Sequence, residues 1–281
     1  MSNACHILIM NLILFMNRFL PHWLLRILPL CVLLFATAIP GGFAAEVRSV
    51  PILAYHRFAD TAVDSMTMRN EVFVAQIKYL RDQGYTVVPL RQVVNALQGR
   101  GAPLPPKPVV ITVDDGHRSV FSDMRPVIER EKIPVTLFIY PSAISNAAYA
   151  MTWSQLAQLR DTGLFDIQSH TYWHPNFKIE KRRLSPEACQ TFVRTQLEKS
   201  RATLKKHLGG DADIDMLAWP FGIYDEELMA AAHAAGYVAA FSIDSRHARA
   251  SDRPLALPRL LMVDAQGMKG FINRLKNEGG E

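Results

Sequence analysis

Apolar positions along the chain fall into short continuous runs that alternate with longer stretches of helical spacing. The first run, residues 50–55, stops at His56-Arg57, and a polar loop is expected to follow, through Asp64 and Thr67. Phe73, Ile77 and Leu80 then recur at helical spacing up to Gly84, which sits where a C-cap belongs. The same reading predicts strands over 85–88, 109–113, 135–140, 165–168, 216–219, 237–241 and 259–263. It predicts helices over 90–97, 119–130 with Pro126 as a kink or restart, 153–159, 185–207, 225–235 and 268–275. Residues 178–183, with four basic side chains, read as a solvated loop. About seven rounds of strand and helix with short connections mean parallel strands and crossover helices, in a barrel or an open doubly wound sheet. No Gly-x-Gly-x-x-Gly follows the first strand, and no Gly-x-Ser-x-Gly elbow or phosphate-binding loop is present. The polar residues that interrupt this pattern gather at predicted strand C-terminal ends, the face on which a barrel builds its active site, so the barrel is favoured.

The first 45 residues break the pattern. They hold no Asp or Glu, carry an apolar run over 27–39 behind Arg18 and Arg26, and offer a small-x-small cleavage site at Gly42-Phe43-Ala44. They read as a secretory signal peptide or, if uncleaved, an N-terminal anchor, leaving residues 46–281 as a single domain secreted or held in the periplasm. Without the two arginines of that segment the formal charge of +5 becomes +3, too little to point to nucleic acid, and any membrane contact rests on the N-terminal segment. Cys5 and Cys31 lie in the same segment, so Cys189 is left without a disulfide partner and the domain depends on its core. Nothing in the sequence bears on oligomeric state.

The chemistry centres on residues 109–116, five apolar or β-branched residues running into Asp114-Asp115-Gly116. Two carboxylates side by side at a buried strand end raise each other's pKa. A metal relieves that cost and lets one bind while the other acts as base; capping of the next helix is the competing use. His170 and His174, four residues apart after another predicted strand, add two imidazoles to the same face. Two His and one Asp suit zinc or a similar divalent ion with open positions for water. Tyr172, Trp173 and Trp219 offer flat faces that either stack on sugar rings or pack in the core.

Thr112-Val113-Asp114-Asp115-Gly116 resembles the Thr-Phe-Asp-Asp-Gly motif of the polysaccharide deacetylases, the family of the NodB homology domain (carbohydrate esterase family 4). His170-Thr171-Tyr172-Trp173-His174 is similar to its His-Ser/Thr-x-x-His motif, and Trp219-Pro220-Phe221-Gly222 to its Arg-x-Pro-Tyr-Gly segment. The resemblance implies a distorted (β/α)7 barrel and one divalent metal, zinc with cobalt, nickel or iron as substitutes, held by Asp115, His170 and His174. It implies Asp114 as base, water as nucleophile and the Phe221 N–H at the oxyanion. Pro220, Phe221, Trp219 and Arg259 are expected around the substrate. Two departures stand out. The third motif lacks its Arg, and no His follows His247 to serve as the late general acid. Arg259 and His56 are expected to replace them, as brace and acid. Ala54-Tyr55-His56-Arg57 is similar to the opening of the biofilm deacetylases that act on poly-β-1,6-N-acetylglucosamine, which makes that polymer the expected substrate. Peptidoglycan or chitin oligomers, a small non-sugar amide, and a carbohydrate-binding barrel without catalysis are the alternatives.

Overall fold

In the computed structural model, which describes residues 49–210 and 212–277, the chain runs as follows. It begins β1 (Ile52–Tyr55), β2 (Arg57–Ala59), β3 (Thr67–Arg69), α1 (Asn70–Asp82), β4 (Thr86–Val87), α2 (Leu90–Leu97) and β5 (Pro108–Asp114). A π-helical turn (Val120–Met124) leads into α3 (Arg125–Glu131), then β6 (Val135–Ile139), α4 (Trp153–Asp161), β7 (Phe165–Ser169), α5 (Phe177–Arg183) and α6 (Pro186–Leu208). The chain closes with β8 (Met216–Ala218), α7 (Glu226–Ala234), β9 (Ala239–Phe241), β10 (Leu260–Leu261) and α8 (Gly267–Lys276). The leader expected over residues 1–45 lies outside the described residues.

Local sequence sets the element ends. Thr152 and Gln155 form a capping box at the start of α4, and Ser185 caps α6 with Pro186 at its first position. Pro126 falls near the start of α3, where its missing N–H costs nothing, and the wide turn before it absorbs the restart.

The main sheet is parallel, in the order β10-β1-β5-β6-β7-β8-β9, with β4 added beside the start of β5. Its two edges are joined by one segment. Leu257 bridges Phe241 of β9: the Ser242 N–H donates to Leu257 O and the Leu257 N–H to Ala240 O, both at 2.8 Å. Three residues later Leu260 pairs with Leu53 of β1. Seven strands thus curl into a distorted barrel, the class expected from the sequence.

Alternation along β5 fixes what faces the mouth. Val109, Ile111 and Val113 pack with helix residues such as Phe73, Leu80 and Ile128. Val110 packs instead with Ile52, Phe138, Met216 and Phe241 from other strands. A period of two puts Thr112 and Asp114 on the face of Val110. Both faces of the sheet are covered, which is why its strands read as continuous apolar runs.

Two readings are corrected. The stretch after His56 is not all loop: β2 and β3 pair in parallel, Phe58 opposite Met68, and both side chains are buried. The basic cluster at 178–183 is helix α5, anchored by buried Phe177 and capped by the Asn176 side chain, which accepts the Ile179 N–H.

Candidate active site

Asp114 is the last residue of β5 and is buried on the inward face. Arg259 meets it from the closing segment: Nη1 donates to Oδ1 at 2.8 Å and Nη2 to Oδ2 at 2.7 Å. The guanidinium also donates to Thr112 Oγ1 (3.1 Å) and to the Ser242 carbonyl (3.2 Å), and lies over the Phe138 ring. Thr112 in turn donates to the Leu53 carbonyl at 2.8 Å. Burial would push the Asp114 carboxyl up. Arg259 outweighs that, with His170 helping, and holds it well below the usual carboxylate range. Arg259 is 0 % exposed, so it stands behind Asp114 as a positioning residue, where the brace was expected, and does not meet substrate.

After Asp114 the backbone turns through two left-handed residues, Asp115 (φ 73°) and Gly116 (φ 77°). A Cβ on Gly116 would stand 2.9 Å from Ile139 Cδ1 and would be strained at this left-handed φ, so glycine is favoured there. The turn sends Asp115 toward the imidazoles. His170, at the end of β7, is buried and its Nδ1 meets the Ala218 carbonyl at 2.7 Å. A carbonyl only accepts, so Nδ1 carries the proton and Nε2 keeps its lone pair. The Thr171 hydroxyl takes the His174 N–H (3.2 Å), folding the loop so that the two imidazole centroids lie 4.6 Å apart. Thr171 and His174 are also left-handed, at φ 64° and 61°. Four of the non-glycine residues with positive φ, these three and Phe221, thus cluster at one mouth, as strained backbone does at functional sites.

Asp115 Oδ1 lies 3.6 Å from His170 Nε2 and 3.7 Å from His174 Nε2, and the three ligand atoms lie within 4.8 Å of one another. Burial pushes His170 down to about 3 and His174 down as well, so both are neutral near pH 7. Burial, with Asp114 adding, pushes the Asp115 carboxyl up, against the pull of His56. One carboxylate oxygen and two imidazole lone pairs, set close together with both imidazoles neutral, fit a divalent metal of the zinc class.

These groups line a cleft of about 260 Å³ together with His56, Arg57, Met66, Phe221 and Ile243. His56 follows β1 as expected; its Nδ1 is buried and has no hydrogen-bond partner among the described residues. Phe221 is 56 % exposed, in a tight turn begun by buried Pro220, with its ring 4.6 Å from that of His174. Trp219 is corrected: it is 1 % exposed, donates Nε1–H to the Leu255 carbonyl (2.9 Å) and packs edge-on to Phe177, so its ring belongs to the core. Arg57, Met66 and Ile243 were not foreseen. Adjacency to His56 could have flagged Arg57; nothing local flags the other two.

The family model for polysaccharide deacetylases matches residues 101–240, a span that holds Asp114, Asp115, His170, His174 and Phe221. The chain belongs to the polysaccharide deacetylase family. Among curated members of that family it is similar to the poly-beta-1,6-N-acetyl-D-glucosamine N-deacetylase of Escherichia coli K12, at 24% identity over 257 residues. The match takes in 79% of this chain and 38% of that protein, so the chain spans well under half of the relative's length. A poly-beta-1,6-N-acetyl-D-glucosamine N-deacetylase of Staphylococcus aureus matches at 20% identity, over 72% of this chain and 70% of its own. In fold, the deacetylase barrel superposes on Streptococcus pyogenes deacetylase PplD, solved in complex with acetate, with a TM-score of 0.71 at 21% identity, covering 81% of this chain and 98% of that one.

Proposed function

We propose that the protein is a metal-dependent N-deacetylase of N-acetylglucosamine polymers, with poly-β-1,6-N-acetylglucosamine as its preferred substrate. The observation that carries this reading is the Asp115–His170–His174 group set beside a buried, ionised Asp114 in one cleft. The names of the relatives support the choice of polymer. Asp115, His170 and His174 hold the metal, which when bound acidifies water and polarises an amide carbonyl, so that even a weakly basic carboxylate can take the proton.

The remaining work falls to the chain. Asp114 accepts a proton from water, and Arg259 keeps both its oxygens aimed and anionic. The Phe221 N–H donates to the acetamide oxygen as charge grows there, and Pro220 fixes the turn that presents it. His56 gives a proton to the nitrogen as the C–N bond breaks. Water is added across the amide, leaving acetate and a free amine.

Residues 1–45 act as a signal or anchor that delivers residues 46–281 outside the cytoplasm. Among the described residues no helix is long and apolar enough to cross a membrane.

The test is metal content of the purified protein together with acetate release from poly-β-1,6-N-acetylglucosamine and from chitin oligomers. One bound divalent ion with faster release from the β-1,6 polymer is the expected result. A bound ion with no acetate from either would move the reading to another amide. No ion and no acetate after zinc, cobalt or nickel addition would favour a binding barrel.

A further inference from the structure

We propose that Tyr140, Tyr149 and Trp173 form a second subsite beside the reacting cleft, and that it seats an uncharged pyranose ring, the neighbour in the polymer of the residue being deacetylated. The inference rests on the deacetylase reading above and deepens it. These side chains line an open groove of about 440 Å³, within the size range of small-ligand sites. His174 is a wall of both the groove and the cleft, so the two hollows lie on either side of one imidazole. The Tyr140 ring centroid is 5.4 Å from that of His174, and its hydroxyl is bonded to that of Tyr149.

Exposure singles the groove out. Tyr149 is 43 % exposed and Trp173 44 %, and with Phe221 they are the aromatics among the exposed large hydrophobic side chains of the described residues. All three stand around this one mouth. Aromatic faces with polar tips, left open to water, mark a surface that expects a partner. They are also held in place. Tyr149 stacks on His117 with 11° between the ring planes, and Trp173 packs edge-on to Phe192 while its backbone N–H donates to Gln196 Oε1 at 3.0 Å. Ordered rings lose little freedom on binding.

The lining carries Ser142 and Asn146 but no Lys, Arg, Asp or Glu. A carboxylate placed there would shed water without gaining a counter-charge, whereas a neutral ring pairs its apolar face with the aromatics.

Calorimetric titration of the full chain with the β-1,6-linked N-acetylglucosamine trimer tests this. Tyr149→Ala and Trp173→Ala should each weaken trimer binding by about tenfold, the worth of one aromatic contact. Tyr149→Phe, which keeps the ring, should stay within about twofold on the same grounds, and thermal melts of all three should match the parent. In acetate release the two Ala variants should raise KM for the trimer with kcat held. Unchanged trimer affinity in both Ala variants, or no trimer binding by the parent, would overturn the subsite. Trimer binding that depends on Tyr149 with no acetate released would instead count against the deacetylase reading and leave the subsite standing.

Discussion

Asp114, at the floor of the cleft, and Asp115, at its rim, are consecutive residues in opposite circumstances. Asp114 sits on a strand, is buried, and has both oxygens taken by one guanidinium. Asp115 sits on a left-handed turn, is partly open, and faces two imidazoles. At the floor, charge is balanced by a residue of the chain itself, and the carboxyl is held low. At the rim, burial drives the Asp115 carboxyl up and the two His down, so three ligand groups face one another, and Arg57 and Arg259 pull on Asp115 less than its burial does. Regular sheet makes the part that must not move; strained loops make the part that must meet something from outside.

Removing a rim ligand is expected to have the largest effect. Asp115→Ala or His170→Ala should lose bound metal and acetate release together, read by elemental analysis and the acetate assay on one sample. Metal retained at parental level would break the ligand assignment. At the floor, Asp114→Asn should keep the metal and lose about 10²–10⁴ in kcat, the range for a general base; a near-normal rate would end that role. Arg259→Met should leave a buried carboxylate unpaired and cost about 3–5 kcal/mol in urea unfolding, with Asp114→Asn on the same chain recovering much of it. Lys is a poor substitute, since one ammonium cannot take both oxygens in a fork. His56→Ala should slow turnover by about a hundredfold with metal content unchanged; an unaltered rate would return the proton to water.

The smallest effect sharpens the rim. In metal-free protein His170 is held down to about 3, below the ordinary histidine value near 6.5. Between those values the unfolded chain binds the proton and the folded one does not, so stability is full above about 6.5 and falls as pH drops toward 3. His170→Gln should flatten the dependence of the melting temperature on pH over that window.

The contrast also explains what the sequence could tell. Strands such as Val109–Val113 are legible because a parallel strand covered on both faces is an unbroken apolar run. The paired carboxylates and the two His are legible because each set is local. Trp219 was misread as a sugar face because an indole looks alike in both settings; only the Leu255 carbonyl and Phe177 beside it decide for the core. Arg259 was placed on a strand near the mouth, but its burial depends on Thr112, Phe138 and Ser242, from three distant stretches. Helix α5 was hidden because its basic residues outweigh one buried Phe177, although Asn176 carries an N-cap signal. The π-turn and the β2–β3 pair have no periodicity long enough to register.

The segment from Leu257 to Leu261 joins β9 to β1 and carries Arg259 to Asp114. Synthesis runs from the N-terminus, so every other element of the barrel wall, and each rim ligand, leaves the ribosome before it. Until this segment docks, the sheet has two open edges and Asp114 lacks its counter-charge. The charge balance of the floor is thus completed in the same event that shuts the barrel. A chain in which this segment has not docked lacks the guanidinium that holds both oxygens of Asp114.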